Sequence, residues 1–256
     1  MVRQSESAQH LRAHDYNLLV RRWRTLTRQN GWQMRSFAEA DGFPVYVVRS
    51  PGGGGRTLYL SAGIHGDEPA ATEALITWCE RRATWLHRAE LMIFPCLNPW
   101  GLQHNSRNDR SGRDLNRGYH RKDVPVIEAQ KGLLQGRVFE AAVMLHEDFD
   151  ARGVYLYEVA GVRPFWGEEI VAAGSSWIPR EPRTRLDGWR CRQGLVRPRI
   201  TPESLPEHPE ALFVYFGHTR RSITLETPSE FSMRERVRAH GAMLDALWRL
   251  SGRRKN

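Results

Sequence analysis

The chain has 256 residues, of which 40% are apolar, 26% charged and 10% aromatic. This composition is that of a globular protein with a sizeable core, and it excludes a disordered, collagen-like or low-complexity chain. The formal net charge of +9 raises the question of nucleic-acid binding. However, only three of the 38 basic residues are lysine, the arginines are dispersed, and no nucleic-acid-binding signature occurs, so nucleic acid is not the expected partner.

Membrane and secretory segments are not predicted. No run approaches about 18 uninterrupted apolar residues, and the polar, Arg-rich segment 1–30 lacks the apolar core of a signal peptide. The three cysteines, Cys79, Cys96 and Cys191, are scattered and form no CxxC pair. We therefore expect unpaired thiols and a reducing, cytoplasmic location.

Helices and strands alternate along the predicted chain. Apolar spacing predicts a helix from Tyr16 to Gln29, and Asp41-Gly42 predicts a hairpin turn between strands 34–40 and 43–49. Further predicted strands are 57–62, 90–97, 137–145, 153–159 and one ending at 223–225; further helices are 69–87, 164–173 and 232–250; and segments 101–121 and 180–209 are expected to be irregular. Alternation of this kind predicts one α/β domain with helices on the faces of a sheet.

Two short patterns place metal-binding side chains where predicted strands end. His65 and Glu68 are three residues apart in the loop after strand 57–62, so both can face one point and bind zinc through nitrogen and oxygen. His146 directly follows the apolar run 141–145, and α/β sheets place their sites at the carboxyl ends of strands. Considered alone, a histidine in this position is more often a core-edge histidine than a metal ligand.

Two further motifs stand between and after these residues. The charged run 107–117 is by itself typical of a solvated loop, but it follows Asn98-Pro99-Trp100-Gly101 and ends in Asp114-Leu115-Asn116-Arg117. Much later, Glu226 ends a β-branched strand directly before turn residues. A glutamate at that position is usually only solvated, so its meaning depends on the other motifs.

In this order, the motifs resemble those of the zinc carboxypeptidases of the carboxypeptidase A-like family, over residues 61–229. The resemblance implies a single domain, 1–256, with a mixed, twisted β-sheet flanked by helices. Within it, 1–56 would form an N-terminal helix and hairpin and 57–256 the catalytic core. The implied activity is that of a metallocarboxypeptidase with one Zn²⁺ per chain, which hydrolyses a peptide or peptide-like amide next to a free C-terminal carboxylate.

The resemblance also implies roles for eight residues. These roles are zinc ligand for His65, Glu68 and His146; orientation of His65 for Asp114; stabilisation of the oxyanion for Arg107; binding of the substrate carboxylate for Asn116 and Arg117; and general base for Glu226. Outside the resemblance, Glu147 is the next candidate for the base, because it stands beside His146. The chemistry of the side chains agrees, because three protein ligands leave a position open for water. Arginine also keeps its charge and has a planar fork that matches a carboxylate.

Some features depart from this family. Met144 precedes His146 by two residues, where an acidic residue is common, and only Tyr215 is a candidate, by position, for a tyrosine that caps the substrate. The main alternative is an amidohydrolase resembling succinylglutamate desuccinylase or aspartoacylase, which cleaves an acyl group from an amino acid. The expected substrate is therefore a peptide, a murein peptide or an acylamino acid. A basic binding protein with a structural zinc, or with none, is the alternative outside the enzymes.

Overall fold

One mixed β-sheet runs through the described parts of the chain. The computed structural model of the protein describes residues 12–53, 55–201 and 207–252. Within these ranges the strands are β1 (Gln33–Ala40), β2 (Phe43–Arg49), β3 (Arg56–Ala62), β4 (Ala89–Phe94), β5 (Ala141–Asp148), β6 (Tyr155–Ala160), β7 (Arg185–Leu186), β8 (Trp189–Arg192), β9 (Leu195–Val196) and β10 (Arg221–Pro228). Their order in the sheet is β1-β2-β4-β3-β5-β10-β6-β9-β8-β7.

Helices cover both faces of this sheet. The described residues form α1 (Tyr16–Asn30), α2 (Pro69–Leu86), α3 (Pro99–His104), α4 (Pro125–Leu134), α5 (Gly167–Gly174), α6 (Glu210–His218), α7 (Met233–Ser251) and a 3-10 helix (Leu115–Arg117). Apolar side chains of α1, α2, α5 and α7 pack in one hydrophobic cluster with the sheet, and those of α4 and α6 pack in another. The predicted α/β class, with a mixed, twisted and open sheet flanked by helices, is confirmed.

Local signals explain the early elements. The Asp15 side chain accepts a hydrogen bond from the Leu18 amide and so caps α1, which ends where Gly31 takes the left-handed conformation. Asp41 and Gly42 both have positive φ, as a two-residue hairpin turn requires. The predicted helix and hairpin are therefore confirmed, and β1 and β2 join the same sheet as the later strands.

Other parts differ from the prediction. The strand predicted to begin at residue 137 begins at Ala141. The backbone amide of Arg137 donates instead to the Leu134 carbonyl and so closes a turn. Segment 180–209, expected to be irregular, contains β7 to β9, which are joined by turns with positive φ at Asp187-Gly188 and Gln193-Gly194. Three helices were not predicted, α3, α4 and α6, and they contribute Leu102, Ile127 and Val214 to the core. Their short length gives only a weak periodic signal.

Residues 1–11 of the polar segment 1–30, for which no signal peptide is expected, lie outside the described residues. Among the helices of the described residues, none is long and apolar enough to cross a bilayer.

The central strands bring distant segments to one edge of the sheet. Strands β3, β4, β5 and β10 run parallel to their neighbours in the order β4-β3-β5-β10, so their carboxyl ends share that edge. Strand β6 runs antiparallel to β10 and begins at the same edge. The site described next is built there, as expected for an α/β sheet.

Candidate metal centre and active site

Three buried side chains converge at the carboxyl ends of β3 and β5. The Nδ1 atom of His65 lies 2.5 Å from Oε1 of Glu68, and Nδ1 of His146 lies 2.7 Å from Oε2 of the same carboxylate. One donor atom from each residue falls within 4.8 Å of the others. The structure therefore brings together the three residues that the sequence analysis named as metal ligands.

The backbone explains why these side chains meet. Glu68 is the residue from which α2 starts, and Pro69 occupies the first helical position, where a missing amide hydrogen costs nothing. Gly66 lets the loop press against α3, since a Cβ at Gly66 would lie 1.9 Å from the carbonyl carbon of Gly101. The loop from β3 thus turns sharply enough to return Glu68 to His65.

The electrostatics of the three groups fit a cation. Burial alone would raise the pKa of Glu68, but the imidazoles of His146 and His65 hold it well below its usual value. Burial alone would lower the pKa of His65, but Glu68 and Asp114 raise it to about 9. The cluster therefore favours positive charge at its centre. Two imidazole nitrogens and a carboxylate also form a three-ligand set of the catalytic type, so the residues present fit a metal ion.

Asp114 and Arg107 surround the two ligands of the first loop. Oδ1 of Asp114 lies 3.1 Å from Nε2 of His65, which orients the ring with its Nδ1 atom toward Glu68. Arg107 donates from Nε and Nη2 to Oδ2 of Asp114, at 3.3 and 3.1 Å, and from Nη1 to Oε1 of Glu68 at 3.2 Å. Its side chain is 44% exposed, so a fixed cation lies at the rim of the site within reach of a substrate.

Asn116 and Arg117 follow Asp114 on the 3-10 helix. The Asp114 carboxylate accepts from the Asn116 amide at 2.8 Å and caps this turn. The side-chain oxygen of Asn116 is used to accept the Glu210 amide at 2.9 Å, which anchors the turn on α6. Arg117 is exposed, and it is close enough to help lower the pKa of Asp114. The predicted carboxylate-binding residues thus lie beside the metal ligands. The groups that could face a substrate are the side-chain amide nitrogen of Asn116 and the guanidinium of Arg117, which also donates from Nη1 to the Asn116 carbonyl at 3.2 Å.

Glu226 reaches the same site from the neighbouring strand. In the sheet it is paired with His146 of β5 on one side and with Tyr155 of β6 on the other, so the three side chains share a face. It is buried, and its Oε2 atom finds no hydrogen-bond partner among the described residues. Burial, together with the charges of Glu68 and Asp148, raises its pKa well above the usual value. Such a carboxyl is poised to accept a proton.

The residue after His146 has a different position. Glu147 faces the opposite side of β5, where it accepts the Ala70 amide at 2.6 Å and pairs with Arg236 of α7. Burial raises its pKa to about 7, although Arg236 acts in the other direction. Glu147, the alternative base considered from the sequence, therefore does not line the side of the sheet on which His146 and Glu226 meet.

Beyond Glu226, the site is bordered by residues that no sequence pattern identified. The Tyr155 hydroxyl donates to Oδ2 of Asp148 at 2.8 Å, and Arg183 donates to the same oxygen at 3.1 Å. The placement of Tyr155 opposite Glu226 follows from strand pairing, for which the sequence has no local signal. Tyr215 is not a capping residue at this site, because its hydroxyl lies beside Gly161 at the other end of β6.

Comparisons with known proteins agree with this description. Residues 54–151 match the family of succinylglutamate desuccinylase/aspartoacylase catalytic domains; this segment contains every proposed site residue except Glu226. A search of curated proteins finds no match.

Among solved structures, a protein of Shewanella amazonensis SB2B named a "putative metallopeptidase" is 20% identical, with a TM-score of 0.82 over 93% of this chain and 94% of that chain. A metallo-carboxypeptidase from Burkholderia cenocepacia is 17% identical, with a TM-score of 0.66 over 88% and 66%. Bovine thrombin-activatable fibrinolysis inhibitor is 14% identical, with a TM-score of 0.66 over 92% and 96%. The chain therefore has the fold of the zinc carboxypeptidase-like proteins, and its segment 54–151 matches the succinylglutamate desuccinylase/aspartoacylase catalytic domain.

Proposed function

We propose that the protein is a zinc-dependent metallohydrolase of the carboxypeptidase type, which cleaves a peptide or peptide-like amide next to a free carboxylate. The observation that carries this proposal is the meeting of His65, Glu68 and His146 with the buried carboxyl of Glu226, whose Oε2 atom has no hydrogen-bond partner in the described part of the chain, at one edge of the sheet. A purely structural zinc site would be expected to take a fourth protein ligand, and it would not need a carboxyl of raised pKa beside it.

In this mechanism His65, Glu68 and His146 would hold one zinc ion. A bound zinc ion supplies Lewis-acid activation of water and of the substrate carbonyl. Glu226 takes a proton from the attacking water as the new carbon–oxygen bond forms, and the carbonyl electrons move to oxygen. The same carboxyl then gives the proton to the amide nitrogen as the carbon–nitrogen bond breaks, so amine and acid leave with the charges balanced.

Arg107 and the 3-10 helix supply the fixed positive charges. The Arg107 guanidinium donates to Glu68 at 3.2 Å, and from there it could stabilise the negative charge on the carbonyl oxygen. Arg117 and the side-chain amide nitrogen of Asn116 would bind the free carboxylate of the substrate, since a guanidinium fork matches the two carboxylate oxygens. Peptides and murein peptides with a free carboxylate are the substrates that this arrangement favours.

A second candidate is hydrolysis of N-acyl amino acids. The match of residues 54–151 to the desuccinylase/aspartoacylase domain favours it, and the same ligands, base and arginines could serve it. The two candidate functions differ in the group on the carbonyl side of the scissile amide, which is an acyl group in the second and a peptide chain in the first. We also propose a reducing, cytoplasmic location, because all three cysteines are buried and free.

A substrate panel tests the proposal. The purified protein is stripped with a chelator, reloaded with zinc, and assayed on dipeptides and murein peptides with free carboxylates, on the matching C-terminal amides, and on N-acyl amino acids. We expect chelator-sensitive hydrolysis that zinc restores, and much poorer turnover of the amidated substrates, because an amide cannot give Arg117 the charge-assisted pairing that a free carboxylate gives. Faster turnover of N-acyl amino acids would select the second candidate. Absence of zinc-dependent hydrolysis across the panel would refute both.

A further inference from the structure

Helix α7 contacts the strand ends that carry the site, although none of its residues is a proposed ligand or base. Arg236, in its first turns, pairs with the buried carboxylate of Glu147, directly after the ligand His146. Four residues later, Nε2 of His240 lies 3.0 Å from the hydroxyl of Thr227, directly after Glu226. One face of α7 therefore holds the residue that follows His146 and the residue that follows Glu226.

Glu147 is connected to the metal ligand Glu68 by two contacts. Its backbone amide donates to Oε2 of Glu68 at 3.2 Å, and its own side chain accepts the amide of Ala70, two residues after Glu68, at 2.6 Å. The first contact fixes the ligand carboxylate, and the second fixes the start of the helix that begins there. Glu147 thus sets the distance between the end of β5, with His146, and the start of α2, with Glu68.

Arg236 makes this arrangement possible. The side chain of Glu147 is fully buried, and a buried carboxylate without a cation would be strongly disfavoured. Arg236 supplies that cation from the other side of the interface, and with its charge the carboxylate can accept the Ala70 amide as an anion. The pair lies outside the donor set of the metal, so it acts through Glu68 and not on the substrate.

We propose that the Arg236–Glu147 pair is a positioning device for the metal centre, which holds Glu68 and His146 at the separation required to bind the ion. This inference rests on the metal site of the proposed function. Removal of a residue that hydrogen-bonds to a metal ligand typically lowers metal affinity by about 10–100-fold. We expect a change of that size here, since the Glu147 carboxylate itself accepts the Ala70 amide, and the backbone amide that donates to Glu68 belongs to the same residue.

The test measures zinc affinity by competition with a chromophoric chelator, which requires no substrate. Arg236→Met removes the charge and keeps the length of the side chain, and we expect zinc affinity to fall by about 10–100-fold. Arg236→Lys keeps a cation beside Glu147 and should remain within a few-fold of wild type. The Nε atom of Arg236 has no partner among the described residues, so lysine gives up little hydrogen bonding there.

Arg82→Met is the matched control. Arg82 of α2 pairs with Asp245 of α7 at 2.6 Å, so it also ties α7 to a neighbouring element, but near the carboxyl ends of both helices and away from the site. The control should leave zinc affinity unchanged, although it removes another ion pair of α7. An equal loss of affinity in Arg82→Met would show that general loosening of α7 is responsible, and would overturn the proposal.

A double variant separates positioning from the loss of a folded structure. In Arg236→Met/Glu147→Gln no buried charge is left unpaired, and the carboxamide oxygen can still accept the Ala70 amide. Affinity should therefore recover partly from the Arg236→Met value. If Arg236→Met does not fold, Glu147→Gln alone serves the same measurement, with an expected loss of zinc affinity. Wild-type zinc affinity in folded Arg236→Met, or in Glu147→Gln, would refute the proposal. Because the readout is metal binding, it stays informative even if no hydrolytic activity is found.

Discussion

Glu226 has a buried carboxyl oxygen without a hydrogen-bond partner among the described residues, on the same face of the sheet as His146. We predict that Glu226→Gln leaves zinc content nearly unchanged but lowers turnover by about 10²–10⁴-fold, because glutamine keeps the shape and cannot take a proton. Metal analysis and steady-state kinetics on the same preparation check this. Loss of zinc in the variant would make Glu226 a ligand; unchanged turnover would place the base elsewhere.

Arg107 bridges Asp114 and Glu68 at the rim of the site. Since an oxyanion exists only during the reaction, Arg107→Ala should lower kcat by about 10²–10³-fold with a much smaller effect on KM. Arg113→Ala is a suitable control, because Arg113 lies in the same loop and pairs instead with Asp109 at 2.8 Å. A change confined to KM would assign Arg107 to substrate binding.

His240 couples the stability of the protein to pH. Burial lowers its pKa from the ordinary 6.5 to about 3, so the folded state keeps the ring neutral. Because the pKa of His240 is lower in the folded state, its contribution to the free energy of unfolding is fully present above pH 6.5 and is lost as the pH falls from 6.5 toward 3. In the metal-free protein, this one group lowers the free energy of unfolding by up to about 1.4 kcal/mol for each pH unit.

The prediction is checked by urea unfolding at a series of pH values. His240→Asn should show a smaller loss of stability than wild type between pH 6.5 and pH 4, while substitution of the exposed His104 should keep the wild-type slope. Identical slopes for His240→Asn and wild type would contradict the assignment of a neutral, buried ring.

At the scale of elements, the loop between β3 and α2 depends on its contact with α3. The backbone atoms of Gly101 lie where a Cβ of Gly66 would be, so Gly66→Ala must displace the loop that carries His65 and Glu68. We expect a loss of about 1–3 kcal/mol in unfolding free energy and weaker zinc binding.

Gly132→Ala provides the comparison for this substitution. Gly132 lies in α4 with no atom within 4 Å of an added Cβ, so alanine there should raise stability by up to about 1 kcal/mol without changing zinc affinity. Chemical denaturation and zinc titration of both variants give the answer. Wild-type zinc affinity in Gly66→Ala would show that the loop can move without disturbing the ligands.

At the scale of the whole molecule, the metal centre joins segments from β3, α2 and β5, which meet only in the folded chain. A metal ion that binds this arrangement and not the unfolded chain must stabilise the fold, by about 2.7 kcal/mol at 100 times its Kd. We therefore predict that zinc raises the Tm of the chelator-treated protein, and that the shift disappears in His146→Ala. A zinc-dependent shift of wild-type size in His146→Ala would remove His146 from the site.

Much of the local structure and part of the site follow from short-range signals in the sequence. Capping by Asp15 and the Asp41-Gly42 turn are short-range signals, so α1 and the first hairpin could be predicted from neighbouring residues. The pairing of His65 with Glu68 is also local, because three residues in a loop leaving a strand can face one point. The short strands β7 and β8 were missed although Asp187-Gly188 is a turn signal of the same kind.

The distant residues that complete the site are brought together by the tertiary fold and could not be identified from local patterns. His146 and Glu226 become neighbours because β5 and β10 pair in parallel, and that pairing depends on the packing of the whole sheet. The same holds for Tyr155 beside Glu226 and for Arg236 of α7 beside Glu147. A local sequence pattern shows the periodicity of a single helix or strand. These contacts depend instead on the free energy of burying several helices and strands together, and each of those elements contributes to that free energy.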